Sequence, residues 1–258
     1  MNIIVCYKLT PDAADIEIKP DGSIGLERAE WTISSFDLQA IEAGVRLAEA
    51  TGGKVIALSA GPHPLDNSKL KKDLLSRGPD ELLLVVDDRL KDADTATTAS
   101  VLAQAVRKAG GADLVLCGEG SADLYFQQVG LQLGEKLGLP TLNAISCIDP
   151  GGDRLVIERR LEDDLEILEV PLPAVLSVTT DINPPRLPTL KEILKAGKKP
   201  VTVWSLADLG FDSEPEVQVE VISTQAPAGV QRKKIIIPGT PEEAVKALVG
   251  YLGKEGLI

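Results

Sequence analysis

Residues 81–117, ELLLVVDDRLKDADTATTASVLAQAVRKAGGADLVLC, form the stretch of the chain that decides its fold. Leu82-Leu83-Leu84-Val85-Val86 is an apolar run of strand length, residues 94–109 carry apolar side chains at helical spacing, and residues 113–117 are a second apolar run. Strands that are apolar throughout are typical of a sheet covered on both faces. The stretch therefore predicts a strand–helix–strand unit within a parallel sheet.

The same alternation extends in both directions from this unit. The sequence predicts further strands over residues 2–6, 54–59 and 143–148, and further helices over residues 36–50, 65–77 and 124–137. A small hairpin around Pro20-Asp21-Gly22 follows the first strand. We therefore expect an α/β fold with a doubly wound, mostly parallel, Rossmann-like sheet, in which ligands bind beyond the carboxyl ends of the strands.

The pattern changes after residue 150. The sequence predicts a β-hairpin over residues 154–170, one more strand over residues 174–179, and a short helix over residues 189–196 after a proline-rich loop. We expect one domain over residues 1–200, with a parallel core over 1–150 and the hairpin and loop over 151–200. Residues 201–258 are predicted to form an irregular C-terminal arm that lies on its own domain or on a partner.

Composition excludes several classes of protein. The chain has 27 Lys and Arg residues against 39 Asp and Glu residues, a net charge of −12, which argues against nonspecific binding to nucleic acids or anionic membranes. One histidine, His63, and three widely spaced cysteines, Cys6, Cys117 and Cys147, offer no metal-ligand spacing, so no metal site is predicted. We expect reduced thiols and a cytoplasmic protein without a signal peptide or membrane span.

The loop Cys117-Gly118-Glu119-Gly120-Ser121-Ala122-Asp123 is the most informative motif of the core. It follows a predicted strand and precedes a helix, so its backbone N–H groups and the helix dipole can bind phosphate or another anion. It is not a dinucleotide fingerprint, because Asp123 stands where that motif has its last glycine. Glu119 and Asp123 can accept hydrogen bonds from ribose hydroxyls or an adenine amino group. The alternative interpretation is a tight turn without a ligand.

Three other segments are candidates for chemistry or recognition. The segment Ser59-Ala60-Gly61-Pro62-His63 borders the same crevice but lacks the pyrophosphate loop of adenylating enzymes. This absence argues against an adenine-nucleotide-hydrolysing or adenylating α/β enzyme, which is kept as the alternative function. Residues 157–166 are a charged hairpin, either solvated or an interaction surface. Leu187 and Leu190 lie in or beside the proline-rich loop, where they fold onto the core or anchor a partner. No catalytic residue is predicted.

The hairpin and its surroundings resemble the beta subunit of electron transfer flavoproteins. The positions that fit the family signature are Ile157, Arg159, Glu162-Asp163-Asp164, Glu166, Leu168, Pro173, Val175-Leu176 and Ser177. The similarity extends over the whole chain and includes residues 5–8, 59–62, 76–80 and 189–196. Cys6-Tyr7-Lys8 and the segment 118–125 are most similar to the Fix-type branch.

This resemblance implies a heterodimer that relays electrons rather than a stand-alone enzyme. FAD is held mainly by an alpha subunit, and the C-terminal arm of the beta subunit packs on alpha. Beta is similar in fold to adenine-nucleotide-binding proteins and holds AMP, or a second FAD where the complex bifurcates electrons. The redox partners implied are proteins of the acyl-CoA dehydrogenase or reductase type, or quinone- or ferredoxin-linked proteins.

The resemblance also implies roles for individual residues. Leu190 docks into a redox partner, Phe36 lies near the alpha-bound flavin, and Asp123, Gln127 and Gln128 are the main polar contacts of the nucleotide. The nucleotide pocket includes Cys6, Ser34, Ser35, Phe36, Asp37, Ala60, Gly118, Glu119, Gly120, Ser121, Ala122, Asp123, Gln127, Gln128 and Val129, and the partner surface includes Glu158, Arg159, Arg160 and Leu190.

The chain departs from the family pattern at three places. Leu124-Tyr125-Phe126 replaces small or acidic residues, and bulky groups there fill space that AMP or a flavin needs. Ala13 replaces a tyrosine that contacts the flavin in some members, and Arg160 replaces a glutamate that contacts alpha.

Overall fold

The computed structural model describes residues 1–213, 217, 219, 221–227 and 233–258. The strands in these residues are β1 (Asn2–Cys6), β2 (Leu9–Pro11), β3 (Glu17–Ile18), β4 (Ile24–Gly25), β5 (Trp31–Ile33), β6 (Lys54–Gly61), β7 (Glu81–Val86), β8 (Leu114–Gly118), β9 (Thr141–Pro150), β10 (Arg154–Arg160), β11 (Leu165–Pro171), β12 (Ala174–Val178) and β13 (Val201–Trp204). The α-helices are α1 (Ser35–Thr51), α2 (Ser68–Ser76), α3 (Thr95–Lys108), α4 (Val129–Leu137), α5 (Leu190–Ala196) and α6 (Pro241–Lys254).

A nine-stranded sheet organises the larger of two compact units, which comprises residues 1–17 and 25–223. The strand order is β11-β10-β9-β12-β8-β1-β6-β7-β13. β10 is antiparallel to both of its neighbours, and the other neighbouring pairs are parallel. The chain proceeds from β1 to β6 and β7 on one side, β8 to β12 fill the other side, and β13 returns to the first side beside β7. The predicted doubly wound, mostly parallel α/β fold is therefore confirmed.

Two apolar clusters cover the two faces of this sheet. Because successive side chains of a strand point to opposite faces, Ile3 and Val5 lie in one cluster with Ile41 of α1. Ile4, between them in sequence, lies in the other cluster with Leu102 of α3. Fully burying one such side chain contributes about 1.5–3 kcal/mol. The uninterrupted apolar runs thus arise because helices cover both sides of the sheet.

The smaller unit comprises residues 18–24 and 224–258. A turn closed by the hydrogen bond from Lys19 N–H to the Ser23 carbonyl forms the tip of the hairpin, and Ser23 forms an antiparallel bridge with Gln225. α6 begins at a capping box in which Thr240 and Glu243 satisfy each other's backbone N–H groups.

Two segments differ from the sequence-based expectation. The helix predicted to begin at residue 124 begins at Val129, because Tyr125 and Gln127 have φ of 49° and 58°, values that an α-helix does not use. The sequence places residues 201–204 in the C-terminal arm, whereas they form β13 and pair in parallel with β7. Packing of the residues after β13 on a partner stays a prediction. None of the helices that the structure describes is long and apolar enough to cross a membrane.

Candidate functional site

The carboxyl ends of β1 and β8 lie side by side at the centre of the sheet, where the winding reverses direction. This is the place at which doubly wound sheets bind ligands. The residues that follow β1, the first turn of α1 and the loop after β8 meet there. We call this place the switch-point cleft and define it by Lys8, residues 34–37 and residues 118–128.

Asp37 joins the strand ends that form the cleft. Its side chain is 6% exposed; Oδ2 accepts the N–H of Lys8 at 2.8 Å and Oδ1 accepts the N–H of Gly118 at 3.3 Å. Burial raises the pKa of Asp37 to about 7, and the charge of Asp123 also raises it. The backbone hydrogen bonds from Lys8 and Gly118 and the charge of Lys8 lower this pKa, but they do not offset the burial. A Cβ at Gly118 would lie 2.7 Å from Oδ1, so this approach requires glycine.

The segment Cys117–Asp123, which we call the glycine loop, crosses the cleft. Part of its backbone already forms hydrogen bonds within the chain. Glu119 N–H donates to the Val178 carbonyl at 3.0 Å, and Ala122 N–H donates to Ser34 Oγ at 3.3 Å. Within the described residues, no hydrogen bond is donated by the N–H groups of Gly120, Ser121 and Asp123. These groups are the donors that the sequence predicts for an anion, although five further residues follow Asp123 before α4 begins.

Lys8 and Asp123 form an ion pair across the cleft. Lys8 Nζ lies 2.9 Å and 2.7 Å from the two carboxylate oxygens of Asp123. Burial alone would raise the pKa of Asp123, but hydrogen bonds from Lys8 and Ser121 hold it below its ordinary value. Lys8 is a cleft residue that the sequence-based list of site residues lacks. Its sequence signals are its place two residues after the first strand and its part in Cys6-Tyr7-Lys8, which resembles the Fix-type branch.

Tyr125 occupies the space beside the glycine loop. A Cβ at Gly120 would collide with its ring, and the ring centroid lies 5.0 Å from that of Phe36. Its hydroxyl is hydrogen-bonded to Glu119 and lies 3.2 Å from Gln127 Nε2. Any ligand group beside Gly120 would therefore have to displace this ring.

The remaining residues predicted for the pocket lie around the cleft. Cys6 is buried at the end of β1, where a hydrogen bond with Cys117, then burial, raises the pKa of its thiol. Ala60 lies near the carboxyl end of β6, the other neighbour of β1. Gln128 precedes α4, and its Oε1 accepts a hydrogen bond from Thr95 Oγ1 at 2.9 Å. Ser35 and Val129 are the first residues of α1 and α4.

The residues predicted to contact partner proteins form two other surfaces. Arg159 ties the hairpin to β9, since it donates to both the carbonyl and the side chain of Asn143. Arg160 pairs with Asp181 at 3.1 Å. Glu158 lies beside them on β10.

The second of these surfaces is the start of α5. Leu190 is 73% exposed and lines a shallow groove on α5, together with Leu194 and three lysines. Arg186 fixes the preceding loop, because it pairs with Glu42 at 2.7 Å and Glu49 at 2.8 Å, both on α1. The exposed leucines thus stand on a rigid support with a basic rim.

His63 takes no part in the cleft. Its ring is largely exposed and pairs with Asp88 at 2.8 Å in a turn after β6.

Comparison with known families covers most of the chain. A family model described as "Electron transfer flavoprotein domain" matches residues 23–209, well over half of the sequence. The matched region contains the cleft residues from Ser34 onward, the hairpin and Leu190. A protein with this domain acts in electron transfer with partner proteins, and the family implies a bound flavin. The chain belongs to the electron transfer flavoprotein family.

Proposed function

We propose that this chain is the beta subunit of a heterodimeric electron transfer flavoprotein. In this proposal an alpha subunit holds the FAD that carries electrons between redox partners, and this chain binds an adenine nucleotide in the switch-point cleft. The observation that carries the proposal is the meeting of the glycine loop, which lies within the matched domain, with the ends of β1 and β8 at the switch point.

The groups available for the nucleotide are of two kinds. The N–H groups of Gly120 and Ser121 suit phosphate oxygens, and the carboxylate of Asp123 and the amide of Gln127 suit ribose and base. FAD, when bound in the complex, supplies the ring that accepts and releases electrons. The residues of this chain position the cofactors and present the docking surfaces.

We further propose that the nucleotide is AMP rather than a second FAD. The ring of Tyr125 packs on Phe36 and beside Gly120, so any ligand there must displace it. AMP is the smaller of the two and requires less rearrangement. This assigns the complex to simple electron carriers, and a second FAD would instead indicate electron bifurcation. Membership of the Fix-type branch rests on Cys6-Tyr7-Lys8 and the segment 118–125.

The C-terminal arm is proposed to pack on the alpha subunit. In the smaller unit, α6 exposes Val245 and Val249, one helical turn apart, and Leu248 beside them. Apolar side chains at this spacing form a face suited to a protein partner.

The redox partner is proposed to dock at α5. Leu190 and Leu194 are exposed within a rim formed by Lys191, Lys195 and Lys198, so an apolar pocket with acidic surroundings is complementary to them. A dehydrogenase-type flavoprotein with such a pocket is the partner that we expect.

Co-expression with a flavin-bearing alpha subunit tests the proposal. We expect the two chains to co-elute in gel filtration with flavin absorbance. Val245→Asp with Val249→Asp should abolish co-elution, whereas Lys246→Glu, an exposed change on the same helix, should not. Failure of the unaltered chains to associate would overturn the assignment as a beta subunit. ATP hydrolysis by the isolated chain that is lost on Asp123→Asn would favour a nucleotide-hydrolysing enzyme instead.

A further inference from the structure

We propose that Lys8 binds the phosphate of the nucleotide, and that the carboxylate of Asp123 takes the place of that phosphate when the cleft holds no nucleotide. The inference rests on the proposed function, because it assumes that the switch-point cleft binds an adenine nucleotide. It adds a phosphate-binding residue and an exchange of anions to that function.

The backbone of Lys8 is fixed so that its ammonium group reaches the glycine loop. Its N–H donates to Asp37 at 2.8 Å, and its carbonyl accepts the N–H of Ser34 at 3.0 Å. Anchored on both sides, the residue stands two positions after β1, and its side chain extends to the loop after β8. Nζ there contacts both oxygens of Asp123, at 2.9 Å and 2.7 Å.

Charge explains why this ion pair points to an anionic ligand. The cleft contains the carboxyl groups of Glu119 and Asp123 within a chain of net charge −12, surroundings that repel a phosphate. Lys8 is the cation that compensates for them at the loop. The Asp123 carboxylate presents two anionic oxygens to one ammonium group, as a phosphate does. A phosphate that replaces it leaves the charge beside Lys8 balanced.

The loop supplies the other half of the phosphate site. The N–H groups of Gly120 and Ser121 form no hydrogen bond within the described residues and lie in the same loop as Asp123. A phosphate on Lys8 can accept from them. Asp123, released from Lys8, becomes free to accept a ribose hydroxyl, the role that the sequence predicts for it.

A comparison of AMP with adenosine isolates the contribution of the phosphate. We would titrate the full chain with each ligand by calorimetry and use the ratio of the two dissociation constants, because a change in the contacts of the base, which both ligands carry, cancels in this ratio. Lys8→Met should weaken AMP binding at least tenfold without changing adenosine binding, and Lys8→Arg should restore the preference for AMP. Asp123→Asn should raise the preference for AMP several-fold, because the competing carboxylate is gone.

Lys54 provides a closely matched control. It pairs with Glu81 at 2.8 Å, with side-chain exposures of 47% and 22%, against 46% and 22% for Lys8 and Asp123. It lies at the amino end of β6, whereas Lys8 follows the carboxyl end of the parallel strand β1. Lys54→Met removes the same charge from an equivalent ion pair at the other end of the sheet, and it should leave the ratio unchanged.

The possible outcomes distinguish a failure of this inference from a failure of the proposed function. An unchanged ratio in Lys8→Met, or an equal loss in Lys54→Met, would overturn the role of Lys8 while nucleotide binding stands. An unchanged ratio in Asp123→Asn would overturn the exchange. If the unaltered chain binds neither AMP nor adenosine, both this inference and the nucleotide-binding part of the proposed function are wrong.

Discussion

Replacing Asp37 by asparagine should flatten the dependence of stability on pH. The carboxyl of Asp37 is buried, and its pKa is about 7 in the folded chain against an ordinary value of 3.8. Between these values the folded state holds one more proton than the unfolded state, so the free energy of unfolding falls as the pH rises. The stabilising contribution is complete below pH 3.8 and is lost once the pH passes about 7.

The size of the effect follows from the pKa difference. One pKa unit corresponds to 1.36 kcal/mol, so the whole interval is worth about 4 kcal/mol, of which about 3 kcal/mol falls between pH 5 and pH 8. Asparagine has no such titration. It loses one of the two backbone hydrogen bonds that the carboxylate accepts, but that loss is the same at both pH values and cancels between them.

Urea unfolding at pH 5 and pH 8 measures the difference. The free energy of unfolding of the wild type minus that of Asp37→Asn should fall by about 3 kcal/mol between these pH values. Asp113→Asn is the control, because Asp113 also accepts a backbone N–H, that of Asn2 at 2.7 Å, but is exposed. A wild-type curve parallel to that of Asp37→Asn would refute the argument that burial keeps this carboxyl protonated.

Three further changes test other parts of the account. Leu190→Ala removes an exposed leucine from the proposed docking surface. Stopped-flow measurements should show at least about tenfold weaker docking to a dehydrogenase-type partner, while the flavin content of the complex stays unchanged. Unchanged electron-transfer kinetics would reject the docking role. Gly134→Ala should lower the free energy of unfolding in urea by about 1–3 kcal/mol, because the added Cβ would collide with Thr141. No loss would mean that α4 can shift away from Thr141 without a cost in stability. Arg186→Ala should cost about 1–3 kcal/mol in the same assay, because it removes one of the two arginine partners of largely buried Glu42 and leaves only Arg46. A change below about 0.5 kcal/mol would contradict this clamp.

The sheet and its main helices could be predicted because their signals are local. The apolar run 82–86 is β7, and the helical spacing after residue 36 is α1, which runs from Ser35 to Thr51. Both patterns arise from burial on both faces of one sheet. The pair β2–β5 contains strands of three residues, too short for a repeating pattern of side chains, whereas the turn Pro20-Asp21-Gly22 predicts the short hairpin β3–β4.

The loop after β8 could be predicted only in part. Its glycines and its place after a strand are visible in the sequence, but the positive φ values of Tyr125 and Gln127 are not, because residues other than glycine and asparagine rarely adopt them. The ring of Tyr125 on Phe36 therefore came from the structure alone.

The polar contacts of the cleft could not be predicted from local sequence patterns. Lys8 and Asp123 are 115 residues apart, so no local spacing indicates their ion pair. Asp37 stands in the first turn of a helix, where an acidic residue ordinarily faces solvent and stabilises the dipole. Its burial depends on how α1 docks against the ends of β1 and β8.

The most direct test of the account is a cofactor count. The chain and its alpha subunit would be co-expressed and purified as a complex, and the FAD and AMP released on denaturation would be quantified per heterodimer. The account predicts one FAD and one AMP. Two FAD and no AMP would contradict the assignment of AMP to the switch-point cleft and would indicate electron bifurcation, whereas one FAD with no second nucleotide would contradict nucleotide binding by this chain.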